Sequence, residues 1–340
     1  MDSVLAEAPT IPPYLRSRGE RQLLLRDFDI DHDRLREGMS AIRRFHYPVE
    51  GGVPDHGRIC ILAGDSRTGK THAVLRYLKS FPASQGEGGK IFPVIYVETP
   101  AIGGEHAFLE SIAEAMEIPH TSKTKSYELF NNILRGLRSH KVDLLVFDEF
   151  QDVFDPKRQL LIKAVRKIFR KILNLKPTPP NIVCVGLEET YKTIQADRQL
   201  TGRGGLPYKI IQPYGWETPE GREAFRLQCG VIDKALPFET RSGLYGQWMA
   251  ERLYFVTQGS IGRLKDFIFN AGTLAINDDA AKIEIEHFRQ AYDEQKPPGV
   301  AFNAFVDDLG QAPDVDGDKA SALRDLSTNQ LMSKKGRKNG

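Results

Sequence analysis

The chain has 340 residues, 40% of them hydrophobic and 27% charged, with a formal net charge of +2. That length suits two domains, or one domain with a lid, and the near-balanced charge leaves any affinity for polyanions to local patches. Cys60, Cys184 and Cys229 form no metal or redox spacing, no stretch approaches ~18 apolar residues, and the acidic N-terminus has no apolar leader, so the expectation is a cytoplasmic protein without a membrane span.

Residues 1–48 are charged and lean towards helix, with Leu35, Met39, Ile42 and Phe45 at helical spacing. This segment reads as a separate, helix-leaning N-terminal piece. Pro48, Gly51, Gly52 and Pro54 then break the chain.

From 49 to 215 strand and helix alternate. Strands are expected at 59–63, 91–97, 143–147, 182–186 and 208–212, with helices near 70–80, 105–117, 125–139, 157–174 and 188–196. Alternating βα units with apolar strands imply an α/β fold built on a doubly wound, parallel, five-stranded sheet. Cys60 and Cys184 sit in such strands and read as small buried hydrophobes.

The first strand runs into Gly64-Asp65-Ser66-Arg67-Thr68-Gly69-Lys70-Thr71, and a helix opens at His72. This is the phosphate-binding pattern G-x-x-x-x-G-K-[ST] in its required strand–loop–helix setting. Glycines let backbone N–H groups curl around phosphates, and the helix N-terminus adds positive potential. Lys70 is assigned to the β- and γ-phosphates and the Thr71 hydroxyl to Mg²⁺.

A third strand ends in Phe147-Asp148-Glu149. An Asp at a strand's C-terminal end is the second Mg²⁺ ligand of P-loop enzymes, which fits Asp148. Glu149 is placed to polarise a water for attack on the γ-phosphate. A complete strand between the loop strand and the acidic one, and an Asp-Glu pair rather than a lone Asp, point to oligomeric ATPases. ATP and Mg²⁺ are therefore the expected substrate and cofactor. Leu187 ends the next strand, where a polar residue contacting the γ-phosphate is usual in that branch; Glu188 or the Gly186 backbone are the substitutes. Arg203, and after it Arg198, are candidates for an arginine donated to a neighbouring subunit's phosphates.

Between Pro156 and Asn181 stand eight basic residues and no acid. On a helical wheel Lys163, Arg166, Lys167, Arg170 and Lys171 share one side, and Leu161, Val165, Ile168 and Ile172 the other. A one-signed stripe suits a phosphate backbone; a solvated face and an acidic protein partner are the other readings. Lys123 and Lys125 are a second candidate DNA contact. With no base-reading motif, contact would be backbone-directed.

After Trp216 the strands stop. Helices near 219–234, 242–257, 261–276 and 283–295 form a small helical lid over 216–296. Arg263, in Gly259-Ser260-Ile261-Gly262-Arg263, is placed to reach the nucleotide from it. Residues 297–340 form a polar tail whose end is expected to be disordered.

Together these motifs resemble an AAA+ ATPase, and more narrowly the TniB/TnsC regulators of DNA transposition. The resemblance covers about residues 15–295. It is carried by Gly64–Thr71, LLVFDEFQDVF at 144–154, VGLEETYKTI at 185–194, DRQLTGR at 197–203 and TQGSIGRLKDFIFNAGTLAI at 257–276. Leu187 stands where relatives often carry Thr, and Gly204 where an aromatic residue often follows the Arg. The resemblance implies ATP-bound subunits assembling on double-stranded target DNA as a ring or a helical filament with about six subunits per turn. It implies recruitment of a DDE-type transposase, direction by a TniQ-like targeting protein, and disassembly on hydrolysis. A helicase-loader or initiator-like ATPase is the alternative.

Overall fold

The computed structural model describes residues 11–196 and 206–312, which divide into two compact units. One spans Asp31–Pro213; the other joins the chain up to Ile30 with the chain from Tyr214 onward.

The first unit is an α/β sandwich. Its sheet consists of β1 (Ile59–Gly64), β4 (Val94–Glu98), β5 (Leu144–Asp148), β6 (Asn181–Gly186) and β7 (Tyr208–Ile211), in the order β4-β5-β6-β1-β7. Every pairing is parallel, as the βα alternation predicts. Because side chains alternate across a strand, each strand feeds two cores. Ile59, Ile61 and Ala63 of β1 join Leu145, Phe147 and Cys184 on one face, covered by α4 (Glu105–Ala115), α5 (Ser126–Ser139) and α6 (Gln159–Ile172). Cys60, Leu62, Val146 and Val185 face the other way, under α2 (Asp33–His46) and α3 (Lys70–Leu78). α7 (Glu188–Ala196) comes after β6. Cys60 and Cys184 are fully packed thiols, and burial pushes Cys60 up to about 12.

Three expectations change. The strand expected at 91–97 is two features. A small antiparallel hairpin, β2 (Ser84–Gly86) and β3 (Gly89–Ile91), turns at Glu87-Gly88, and β4 starts only after Pro93. Pro93 has no N–H to give a ladder, which separates the two. The helix expected from 157 begins at Gln159, after a 3-10 turn at Pro156–Arg158. The helix expected from 242 begins at Gln247, because Gly243 turns the backbone at φ 78°.

The first 48 residues do not form one segment. α2 belongs to the α/β unit: Ile42 and Phe45 are buried under the sheet, and a Cβ on Gly38 would lie 2.8 Å from the Ala73 Cβ. Only glycine there lets α2 and α3 pack so closely. α1 (Arg18–Asp27) belongs to the helical unit, where Leu25 is fully buried and would meet a Cβ on Gly272 at 2.6 Å.

The helical unit holds α1 with α8 (Pro219–Ala235), α9 (Gln247–Thr257), α10 (Ile261–Asn277) and α11 (Ile285–Asp293). Its core includes Phe225, Leu253, Phe267 and Phe288, and it extends past 296 to Ala304 and Phe305. Phe305 stacks on Phe267 and Phe288 at 5.4 and 5.5 Å, so the segment after Lys296 is partly core. Residues 313–340 lie outside the described residues.

Candidate functional site

The site lies at the C-terminal edge of the parallel sheet, where strand order brings the ends of β1, β5 and β6 side by side. β6 lies between the other two, with Ala63 level with Gly186 and Phe147 level with Cys184. This is the position at which open α/β sheets bind ligands.

The loop that leaves β1 is shaped by its glycines. Gly64 sits at φ 152° against β7, where a Cβ would come within 2.4 Å of the Ile211 carbonyl oxygen. Gly69 takes φ 93° and caps α3. Between them Asp65, Ser66 and Arg67 are exposed, with Arg67 itself at φ 65°. Thr68 is buried, and its hydroxyl donates to the Asp65 carbonyl at 2.8 Å. Lys70 is folded into this loop. Its ammonium donates to the Gly64 and Asp65 carbonyls at 2.9 and 2.7 Å. Burial lowers its pKa, opposed by Glu149 first, then Asp148 and Asp65. Thr71 and His72, in the first turn of α3, are half-buried.

The acidic pair is fixed by different means. Asp148 is 2% exposed, accepting from the Glu149 backbone N–H at 2.9 Å and from the Tyr96 hydroxyl at 3.0 Å. Burial and that carboxylate push the Tyr96 phenol up, beyond the usual tyrosine range. Each Asp148 oxygen keeps a lone pair beyond these bonds. Glu149 then turns the chain at φ 51°, a left-handed conformation that a glutamate rarely adopts, and its side chain is exposed. The Thr71 hydroxyl and the Asp148 carboxylate make a hard-oxygen donor set, which suits Mg²⁺; the cradle of Gly64–Thr71 suits a polyphosphate.

Several contributors are not legible in the sequence. Gln151, in the 3-10 turn after Glu149, donates its amide N–H to the Glu149 carboxylate and accepts the Leu187 N–H at 3.3 Å. The Arg158 guanidinium ties the turn at Asp152 to the β4–α4 loop, donating to the carbonyls of Asp152, Pro100 and Gly103 at 2.7, 3.1 and 2.6 Å. His32 caps α2 by accepting the Leu35 N–H at 3.2 Å, and its ring lies beside Gly69. Burial, with His72 nearby, holds it down to about 4. Tyr96 stands 52 residues from the Asp148 it serves. Strand register brings Tyr96 and Gln151 to their partners, and the packing of α2 brings His32 to the loop.

The basic stripe forms as the wheel predicts. Leu161, Val165, Ile168 and Ile172 are buried, Lys163, Lys167, Arg170 and Lys171 are exposed, and Arg166 is half-buried. Among the described residues no salt bridge involves those four exposed cations. Lys123 and Lys125 are exposed just before α5, a different helix. Arg263 lies in the first turn of α10, in the helical unit. Arg198 and Arg203 lie outside the described residues. Among the described residues no His, Cys, Asp and Glu cluster forms a metal site of its own, and no helix is long and apolar enough to cross a membrane.

The family model for the bacterial TniB protein matches residues 31–205. No curated protein matches the sequence. Among solved structures the chain is similar to Cdc6p from Pyrobaculum aerophilum, with a TM-score of 0.58, 14% identity, and coverage of 80% of this chain and 70% of that one. It is also similar to the Aeropyrum pernix ORC1 protein solved in complex with DNA, with a TM-score of 0.58, 20% identity and coverage of 82% and 71%. A third similar structure is the Aeropyrum pernix ORC2 protein in its ADP form, with a TM-score of 0.57, 13% identity and coverage of 80% and 72%. At these identities the likeness is one of fold, a P-loop α/β core of AAA+ type with a helical C-terminal region.

Proposed function

Because this chain belongs to the TniB family, we propose that it is an ATP-hydrolysing, DNA-binding regulator of DNA transposition. The observation that carries the reading is that strand order and register set the Gly64–Thr71 loop, with Lys70 folded into it, and the Asp148-Glu149 pair at one sheet edge. Lys70 leaves its loop carbonyls for the β- and γ-phosphates of ATP. Thr71 and Asp148 would hold Mg²⁺, which when bound neutralises charge on the phosphate oxygens. Glu149 polarises a water whose oxygen bonds to the γ-phosphorus as the bond from that phosphorus to the bridging oxygen breaks, giving ADP and phosphate.

The exposed cations of α6 grip the phosphate backbone of duplex DNA, with Arg166 on the same side and Lys123 and Lys125 as secondary contacts. Arg203 or Arg198 acts on a neighbouring subunit's nucleotide, and Arg263 is a candidate for binding the chain's own nucleotide. ATP-bound subunits assemble on target DNA, recruit a DDE-type transposase and a TniQ-like targeting protein, and disassemble on hydrolysis. The fold likeness to Cdc6p and ORC proteins supports a second reading, an initiator-like ATPase that loads other proteins on DNA. Electron microscopy of the protein with a non-hydrolysable ATP analogue and duplex DNA tests the main reading. A ring or filament around DNA, binding transposase, is expected. Assembly indifferent to nucleotide contradicts it, and ordered assembly that ignores transposase favours the second.

A further inference from the structure

We propose that Gln151 is the positioning residue for Glu149, and that it does so by coupling the acid to the end of β6. The inference rests on the hydrolytic reading and names how that site is organised where Leu187 has replaced a polar side chain. Leu187 has no side-chain hydrogen-bonding group, yet its backbone N–H is used: it donates to Gln151 Oε1 at 3.3 Å. The other end of the same amide, Nε2, donates to Glu149 Oε2. The orientation is forced. A carboxylate only accepts and a backbone N–H only donates, so the reversed amide would lose both bonds.

The surroundings hold this amide in place. A Cβ on Gly186 would lie 2.8 Å from Gln151 Oε1, 2.7 Å from Thr190 Oγ1 and 3.4 Å from the Gln151 backbone nitrogen, so a side chain there would push the Gln151 amide aside. Gly186 is therefore small so that Gln151 can lie across the end of β6. Glu149 needs such a tether, because its backbone is in a left-handed turn and its side chain is exposed. Among the described residues the Gln151 amide is the hydrogen-bond donor that orients its carboxylate. Any shift of the Leu187 backbone is then passed to Glu149 through one amide.

The polarity of the contact supplies the test. Gln151→Glu keeps size and can still accept the Leu187 N–H, but it presents a carboxylate to Glu149 instead of a donor. Steady-state hydrolysis by the full chain with duplex DNA, and binding of a fluorescent ATP analogue, are measured for wild type, Gln151→Glu, Glu149→Gln and the double variant. A base contributes roughly 10²–10⁴ to rate, so losing its orientation should lower kcat about 10- to 100-fold. KM and analogue affinity stay within about twofold, because the hydrogen bonds of the Gln151 amide go to Glu149 and Leu187 and not to the Gly64–Thr71 loop. Melting temperature gives a readout independent of activity. Gln151→Glu lowers it in the wild-type background but not in the Glu149→Gln background, where the introduced amide can donate to the new carboxylate. Gly186→Ala, which displaces the Gln151 amide from behind, lowers kcat as Gln151→Glu does. If Glu149→Gln is inactive while Gln151→Glu turns over normally, the inference falls and the hydrolytic reading stands. Normal turnover by Glu149→Gln removes the assignment of Glu149 and this inference with it.

Discussion

Asp233 and Asp148 are both tied down by backbone N–H groups, to different ends. In the helical unit, Asp233 accepts from Ser242 and Gly243 at 2.9 Å each and from Leu244 at 3.2 Å, while its own carbonyl takes the Arg241 guanidinium at 2.7 Å. All of these bonds close one loop onto α8. In the α/β unit, Asp148 accepts one backbone N–H and one phenol, and the chain then turns through a strained glutamate. The first carboxylate has three of its four acceptor positions filled by its own chain. The second keeps acceptor capacity at a strand end, next to a buried lysine whose partners are loop carbonyls. Burial of an acid is therefore common to both places; what marks the site is unspent capacity beside an opposite charge.

The sharpest way to separate the two places is to remove an acid from each. Glu149→Gln should lower kcat by roughly 10²–10⁴ while leaving ATP binding intact, so that assemblies on DNA persist in ATP; gel filtration or electron microscopy over time reads their lifetime. Rapid turnover and release would place the chemistry elsewhere. Asp233→Ala should act on stability instead. It removes the acceptor of three loop N–H groups, of which only that of Leu244 is buried, at a cost of about 1–3 kcal/mol, seen as a lower denaturation midpoint of the helical unit.

A smaller effect should come from buried histidines. Burial holds His32 and His46 down to about 4, below the unfolded value near 6.5. The unfolded chain thus binds protons that the folded one refuses. Stability from these groups is complete above pH 6.5, falls as pH drops towards 4, and levels off below; at pH 5 each costs about 2 kcal/mol. Urea midpoints between pH 7 and 5 check this, and replacing both by residues that do not titrate should flatten the slope.

The smallest change in the folded protein concerns the α6 stripe. Replacing Lys163, Lys167 and Arg170 by Ala should leave stability within about 0.5 kcal/mol and weaken DNA binding. The dependence of binding on salt should flatten by about 0.9 in log–log slope per lost contact. Unchanged affinity and slope would make the stripe a solvated face.

The parts of the site that are legible in the sequence are those where chemistry and local geometry coincide. The Gly64–Thr71 loop needs its own glycines, and an apolar strand ending in Asp148-Glu149 carries its meaning within a few residues. The α6 faces come from helical spacing alone. What stays hidden depends on register. Gln151 meets Leu187 only because β5 and β6 are neighbours with Phe147 level with Cys184, and Tyr96 meets Asp148 because Glu98 pairs with it. The breakers at Pro48–Pro54 look like a domain boundary, but α2 is held by Ala73, packed against Gly38 from α3, and not by its neighbours in sequence. The hairpin at 84–91 merges with β4 in a sequence reading because its residues are too few and too polar for a periodic signal.

If the nucleotide loop governs the hold on DNA, removing its lysine should uncouple the two. The most direct test measures binding of full-length Lys70→Ala to labelled duplex with ATP, with a non-hydrolysable analogue, and without nucleotide, beside the wild type. Nucleotide-dependent binding is expected in the wild type, and none above the nucleotide-free level in the variant, whose fold is intact by circular dichroism. Equal, ATP-responsive binding in Lys70→Ala would contradict that coupling.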